Sequence, residues 1–360
     1  MKIRVLMLCF TLLPAASLFA REKTDIIVMN NGDTLTGTVK GIDAGVLYFS
    51  LPYVIQTISI DWSKVVSLHS QQLFLVKMQD GSAYTGTVNS ALATPGGPIK
   101  LEVVDPRGNQ ILIDSSRIAE VGQTSEKFLQ RFTGGANFGV TYTKGNQTTQ
   151  YVLSGLAAYP RERWIAQAGF SSNLSSSSGA NVSTRNQLNL SALRLLPWKN
   201  YFYEGLGSFL QSAEQGIDVQ TTLGGGPGRY LKNTSRTAWS VLGGVGWQQT
   251  KYRQSTVPAG TQNVFAGLVG TSLNLYRFNK TTLNVSASLL PALSEPGRVF
   301  FSTNASYFIK ITGNLSWNIS FYGNWDNRPP GNLPHSDYGT SSGISWTFGS
   351  SLRTAPRSVQ

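Results

Sequence analysis

The sequence predicts an all-β chain: a transmembrane antiparallel β-barrel of about twelve strands, preceded by a small duplicated β domain of the SH3-like or Sm-like kind. Three observations predict it. Only 13% of the 360 residues are charged, against about 25% in ordinary soluble domains, while 37 glycines and an 11% aromatic share point to ordered, turn-rich β structure. From residue 133 to 348, apolar and polar residues alternate in one segment after another. Ahead of that stretch, two blocks of sequence recur in the same order.

Residues 1–20 have the layout of a secretory signal peptide. Lys2 and Arg4 precede an apolar run over 5–13, and the small residues Ala15, Ala16, Ser17 and Ala20 follow, with cleavage expected after Ser17 or Ala20. Removing that segment takes away Cys9, the single cysteine, so the mature chain has no disulfide, no thiol nucleophile and no zinc–thiolate site. It also lowers the formal charge from +12 to +10. Beyond residue 20 there is no run of the roughly 18 apolar residues that a membrane helix requires. A helical membrane protein is thereby excluded, leaving an exported soluble protein or an outer-membrane barrel.

Residues 21–121 read as two copies of one short β unit, on the periplasmic side of the membrane. Asn31-Gly32-Asp33-Thr34-Leu35-Thr36-Gly37-Thr38-Val39 returns 49 positions later as Asp80-Gly81-Ser82-Ala83-Tyr84-Thr85-Gly86-Thr87-Val88. Ile58-Ser59-Ile60-Asp61-Trp62-Ser63-Lys64-Val65 returns as Ile111-Leu112-Ile113-Asp114-Ser115-Ser116-Arg117-Ile118. In each unit an Asn-Gly or Asp-Gly turn follows an apolar strand, which is hairpin chemistry. Sm-like barrels often bind RNA, but the basic residues here are scattered and no aromatic and basic residues interleave, so no nucleic acid is expected. Asp61 and Asp114 are assigned to local turn hydrogen bonds.

Residues 122–132 form a polar link, residues 133–348 the barrel, and residues 349–360 a polar tail. The 216 residues of the barrel region carry twelve alternating segments, or 18 residues per strand and connection, which suits membrane strands of about 9–11 residues with modest loops. The segment 314–326 shows the pattern best: Leu315, Trp317, Ile319, Phe321 and Trp325 oppose Asn314, Ser316, Asn318, Ser320 and Asn324. Aromatic residues gather near segment ends, as interfacial girdles require, and short connections alternate with longer polar ones. An even strand number returns both ends of the barrel to the periplasmic side. The run Gly224-Gly225-Gly226-Pro227-Gly228 reads as a kinked or bulged strand.

Asn137-Phe138-Gly139-Val140-Thr141-Tyr142-Thr143-Lys144-Gly145-Asn146 with Thr148-Thr149 after it, the Arg163-Trp164 turn, residues 322–327 with Pro329, Asp337-Tyr338-Gly339-Thr340-Ser341, and Ile344-Ser345-Trp346-Thr347-Phe348 form a set of distinctive stretches. Together they resemble the salt-induced outer-membrane proteins, a family whose domain has no established function. The resemblance covers roughly the last 225 residues. It implies an outer-membrane barrel and brings no catalytic residues. Barrels of this class commonly end on a terminal aromatic read by the assembly machinery, whereas Phe348 is followed by twelve further residues.

Chemistry-bearing clusters are scarce. Of the two histidines, His69 belongs to the duplicated region and His335 to a Pro-rich loop, so neither has the strand position beside a serine that a surface lipid hydrolase needs. No enzyme activity, cofactor or metal is expected. Charge is more informative, because residues 133–348 hold 16 Lys and Arg against 7 Asp and Glu. Arg185, Glu204 and Arg229 fall within strands, where a lipid-facing charge is costly, and are therefore expected to line the lumen. Rings of basic residues favour anions. The loop residues Lys251, Arg253 and Arg328 are expected to be solvated or to meet lipopolysaccharide phosphates. Twelve strands lie between the filled eight-stranded barrel and the open sixteen-stranded one. The leading expectation is thus a narrow, anion-preferring outer-membrane channel with a periplasmic docking or gating domain. The alternative is a closed-lumen anchor whose periplasmic domain binds an envelope protein or the cell wall. Outer-membrane lipid and the barrel-assembly machinery are the remaining expected partners.

Overall fold

A computed structural model describes residues 25–43, 45–54, 57–91, 99–125, 128–143, 148–176, 183–196, 200–253, 260–277, 281–312, 314–329 and 334–348. The signal-peptide layout of residues 1–20 and the tail 349–360 lie outside the described residues. Each repeat unit folds as five strands. The first supplies β1 (Asp25–Met29), β2 (Thr34–Asp43), β3 (Val46–Ser50), β4 (Ile58–Asp61) and β5 (Val65–His69). The second supplies β6 (Phe74–Met78), β7 (Ala83–Ser90), β8 (Lys100–Val104), β9 (Gln110–Asp114) and β10 (Ile118–Gln123). A single 3-10 turn joins β4 to β5 and another joins β9 to β10. Asp61 caps the first, accepting from the Ser63 amide at 3.0 Å and hydroxyl at 2.8 Å, and Asp114 caps the second, accepting from Ser116 at 2.9 and 2.8 Å. These serine hydroxyls and amides hold both carboxyls below their ordinary range.

The two units build one barrel between them. β1 pairs with β2 and β5, and β6 pairs with β7 and β10. The units then exchange edges, β5 pairing with β7 and β10 with β2, so that six strands close in the order β1-β5-β7-β6-β10-β2. Hairpins β3–β4 and β8–β9 flank this ring. Equivalent residues fill the shared core, Ile27 with Val76, Val39 with Val88, and Leu68 with Val121. The repeated Thr-Gly-Thr has a steric reason: a Cβ on Gly37 would stand 2.4 Å from the Ser50 carbonyl oxygen, and one on Gly86 2.3 Å from that of Val104.

One core position breaks the repeat. Where the second unit has buried Phe74, the first has Asp25, fully buried. Its carboxylate accepts from the Ser70 hydroxyl and the Val39 amide, both at 2.6 Å, and from the Gln72 side chain. It thereby ties β1 and β2 to the segment that joins the units. Removing it strands buried donors at about 1–3 kcal/mol each. Asp25→Ala should therefore make residues 25–123 sensitive to limited proteolysis in the full chain, while the larger barrel keeps its heat-dependent gel shift.

The larger barrel closes from twelve antiparallel strands. They are β11 (Thr133–Thr143), β12 (Thr148–Pro160), β13 (Trp164–Ser176), β14 (Ser183–Leu195), β15 (Tyr201–Ser212), β16 (Ile217–Asn233), β17 (Thr237–Tyr252), β18 (Thr261–Arg277), β19 (Thr281–Pro291), β20 (Val299–Thr312), β21 (Leu315–Asp326) and β22 (Ser336–Phe348). Gly134 lies opposite Phe348, so the wall begins and ends at one rim. Connections after even-numbered strands have two to five residues and those after odd-numbered strands four to nine, which defines a turn end and a loop end.

Period-two alternation sorts the side chains. Leu188, Leu223, Val245, Val269, Ile319 and Ile344 are exposed on the outer wall, where the surrounding medium of a transmembrane barrel is hydrocarbon. Outward aromatics edge this zone: Trp164, Tyr201, Tyr203, Trp239, Trp317 and Trp346 toward the turn end, and Phe265, Phe301, Trp325 and Tyr338 toward the loop end. The glycine-rich stretch of β16 is not bulged. Its register with β17 passes unshifted from Gly225 opposite Val245 to Gly228 opposite Leu242, and the irregularities fall instead at Ile217/Val219 and Tyr230/Lys232.

Candidate functional site: the barrel lumen

Inward residues enclose two adjoining cavities of about 210 and 200 Å³ that share Gln187, Asn189, Ser286 and Asn304 as walls. Amides and hydroxyls are the commonest side chains along these walls, as the alternation of β14, β19 and β21 requires. One sector differs. Leu193, Phe202, Tyr230, Leu242 and Leu268 pack into an apolar cluster, with Leu206 and Leu290 against it, on the inner faces of β14–β19. This cluster narrows the lumen from one side.

Arg185, near the loop end of β14, points inward and is buried. Its guanidinium donates to Asp337 of β22 at 3.1 Å and to Gln187 at 3.1 Å, and it stacks 4.6 Å from the centre of the Tyr322 ring. Three strands separate β14 from β22 around the wall, so the pair straps one part of the lumen to another. A second strap, on a residue the sequence reading did not single out, sits at the loop rim. Arg298, only 2% exposed, donates to Asp326 at 2.6 and 3.1 Å and to Glu295 at 2.8 Å.

Glu204 lies on the inner face of β15, 3% exposed, between Phe202 and Leu206 and opposite Leu193 of β14. It lines the larger cavity, and its Oε1 has no hydrogen-bond partner.

Arg229 corrects the sequence expectation. It is exposed on the outer wall near the turn end, its guanidinium 5.0 Å from the centre of the Tyr201 ring. Val219 and Leu223 face outward on the same strand, and unbroken register through the glycines carries residue 229 to that face. The position is tolerable because a charge near the membrane edge costs only about 0–1 kcal/mol. The anion-preferring lumen consequently loses both of its arginines, one to the outer wall and one to Asp337. On the inner faces of the strands the described charges are Arg185 and Lys310 against Glu204, Asp326 and Asp337, and Arg298 in the β19–β20 connection bonds both Asp326 and Glu295, so no excess of basic charge lines the lumen.

The surface positions sit at the loop end. Lys251 is exposed on the outward face of β17, Arg253 pairs with Asp218 at 3.2 Å, and Arg328 donates to the Pro296 carbonyl at 3.0 Å. His335 Nδ1 lies 3.1 Å from the Asp326 backbone oxygen, and His69 ends β5 opposite Asn89. The structure brings neither histidine to the lumen. No group of three His, Cys, Asp or Glu that could hold a metal occurs among the described residues.

At the turn end the two barrels touch. Asn200, at φ +62°, donates from its side chain to the Gln79 carbonyl at 3.1 Å, and Asn233 donates to the Met78 carbonyl at 3.4 Å and to the Asn200 side-chain oxygen at 3.1 Å. The β6–β7 hairpin of the second repeat unit thus rests on two turns of the larger barrel. The link is pinned to the wall as well, because Phe128 and Phe132 pack 4.9 and 5.0 Å from Tyr159, which neighbours Trp164.

A family model described as "Protein of unknown function, DUF481" matches residues 136–348, more than half of the chain. The chain belongs to that family. The DUF481 region coincides with the twelve-stranded wall from β11 to the last residue of β22. Among solved structures, the chain is similar to the translocator domain of the autotransporter NalP from Neisseria meningitidis, at 15% identity over 60% of this chain and 87% of that one, with a TM-score of 0.35. It is similar to a porin at 13% identity, over 77% and 98% of the two chains, with a TM-score of 0.28. It is also similar to the outer membrane protease OmpT from Escherichia coli at 12% identity, over 62% and 99%, with a TM-score of 0.23. No curated protein matches the chain.

Proposed function

We propose that the protein is an outer-membrane barrel providing a narrow path for small polar solutes, with its amino-terminal barrel in the periplasm against the turn end. The observation that carries this reading is the pair of cavities, set with amides and hydroxyls, inside a closed wall whose outer face is apolar. The signal-peptide layout supports export, and the outward aromatics support a membrane position. Lys251, exposed on the outer wall near the loop rim, is placed to meet lipid phosphates. The protein is read as a non-enzyme: His335 is exposed in the loop before β22, its Nδ1 on the Asp326 backbone oxygen, and His69 belongs to the amino-terminal barrel.

A second reading, the closed anchor, is favoured by the Leu193–Phe202–Leu242 cluster and by the two arginine straps, which narrow the same lumen. Planar-bilayer recording of the refolded full chain, and of a chain lacking residues 21–132, separates the two. The channel reading expects small discrete current steps that rise when the amino-terminal barrel is removed, and a reversal potential in a KCl gradient without anion preference. Silence from both proteins, each verified as folded by its gel shift on boiling, would leave the anchor.

A further inference from the structure

Among the described residues, Glu204 stands apart from the other inner-face carboxylates. Asp326 and Asp337 each face an arginine, whereas Glu204 Oε1 has no hydrogen-bond partner. Holding a carboxylate out of water without a partner is costly. In the adjoining cavity Asn284 and Asn318 also leave side-chain oxygens unanswered, each, like Glu204, three residues from the turn end of its strand. Among the described residues no Lys, Arg or His lines the cavity that Glu204 enters, so what that cavity lacks is a cationic donor. Leu206, Leu242 and Leu268 line the cavity that Glu204 enters, so the missing group has an apolar surface beside it.

We propose that this cavity is a subsite for a small amphipathic ammonium: a primary amine on a short hydrocarbon body, its ammonium on Glu204 and its carbons on Leu206, Leu242 and Leu268. The proposal rests on the reading of the lumen as a solute path and names the class of solute it holds. A lone carboxylate among leucines suits an organic ammonium better than a hard metal ion, which takes six or so converging oxygens.

The test uses n-butylammonium and its uncharged counterpart 1-butanol, titrated calorimetrically into the detergent-folded full chain, with block of bilayer current recorded alongside. Butylammonium is expected to bind wild type at least about tenfold more tightly than butanol does, the scale of one charge-assisted hydrogen bond. Glu204→Gln, confirmed as folded by its gel shift, should remove that difference. Equal binding of the two probes by wild type would overturn the subsite whether or not the variant folds. Binding that survives Glu204→Gln would overturn it too. Glu204-dependent binding in a protein that carries no current would keep the subsite and end the channel reading, whereas current without such binding would do the reverse.

Discussion

Gly226→Val and Gly244→Val are each expected to abolish the folded barrel, so that refolded chains show one unshifted band on denaturing gels whether boiled or not. A Cβ on Gly226 would stand 2.2 Å from the Gly243 carbonyl oxygen, and one on Gly244 would stand 2.1 Å from that of Gly225. Both contacts are with backbone, which cannot swing aside as a side chain tip can. Pro227 sits in the same stretch and has no N–H to give the ladder. Paired positions accordingly lapse between Gly225 opposite Val245 and Gly228 opposite Leu242, and the two strands close on one another there. Ordinary overpacking costs about 1–3 kcal/mol, and a clash with two fixed strands exceeds that. The same wall supplies its own controls. A Cβ on Gly205 or Gly243 meets nothing within 4 Å, so Gly205→Ala and Gly243→Ala should refold with a normal shift. Collapse of all four variants alike would mean that the glycines serve general strand flexibility and not close approach.

What could be read from the sequence follows from how each signal is carried. Twelve strands were legible because lipid outside and a polar lumen inside impose opposite demands on neighbouring residues, and 314–326 meets them at nearly every position. Parity fails where side chains vanish. Across Gly224-Gly225-Gly226-Pro227-Gly228 nothing marks a face, so the parity that together with cost assigns Arg229 to the lumen has no anchor there, and the cost itself is small near a rim. The inner cluster around Phe202 and Leu242 was hidden for the opposite reason: a leucine in a barrel strand reads as lipid-facing, and only assembled neighbours reveal an apolar sector of the lumen. Repeat blocks exposed the duplication, but the exchange of β5 and β10 between units involves pairings such as His69 with Asn89 that no local motif encodes. Asp25 was missed similarly, since its partners Ser70 and Gln72 lie more than forty residues away. The Arg185–Asp337 pair, 152 positions apart, shows the limit best: its members were countable as charges and invisible as partners.

That pair yields the prediction with the clearest sign. Asp337→Asn leaves Arg185 inside the loop-end lumen without its carboxylate, so the conducting chain should become anion-preferring. Arg185→Gln leaves Asp337 and should turn the preference toward cations. Both preferences are expected as opposite displacements of the reversal potential from wild type in a KCl gradient. The double substitution restores neutrality and removes the strap, so it should give the largest conductance of the set with little selectivity. Stability supplies a readout that does not require current. Breaking one side of a buried pair costs about 3–5 kcal/mol in a dry interior, and less where lumenal water reaches the widowed group. Each single variant should therefore unfold at a lower temperature in detergent than wild type, and the double variant should lose less than the sum of the two, with a coupling of about 0.5–3 kcal/mol as for other residues in direct contact. Additive losses would show that Arg185 is held by Gln187 and the Tyr322 ring, and that Asp337 does not strap the lumen at all.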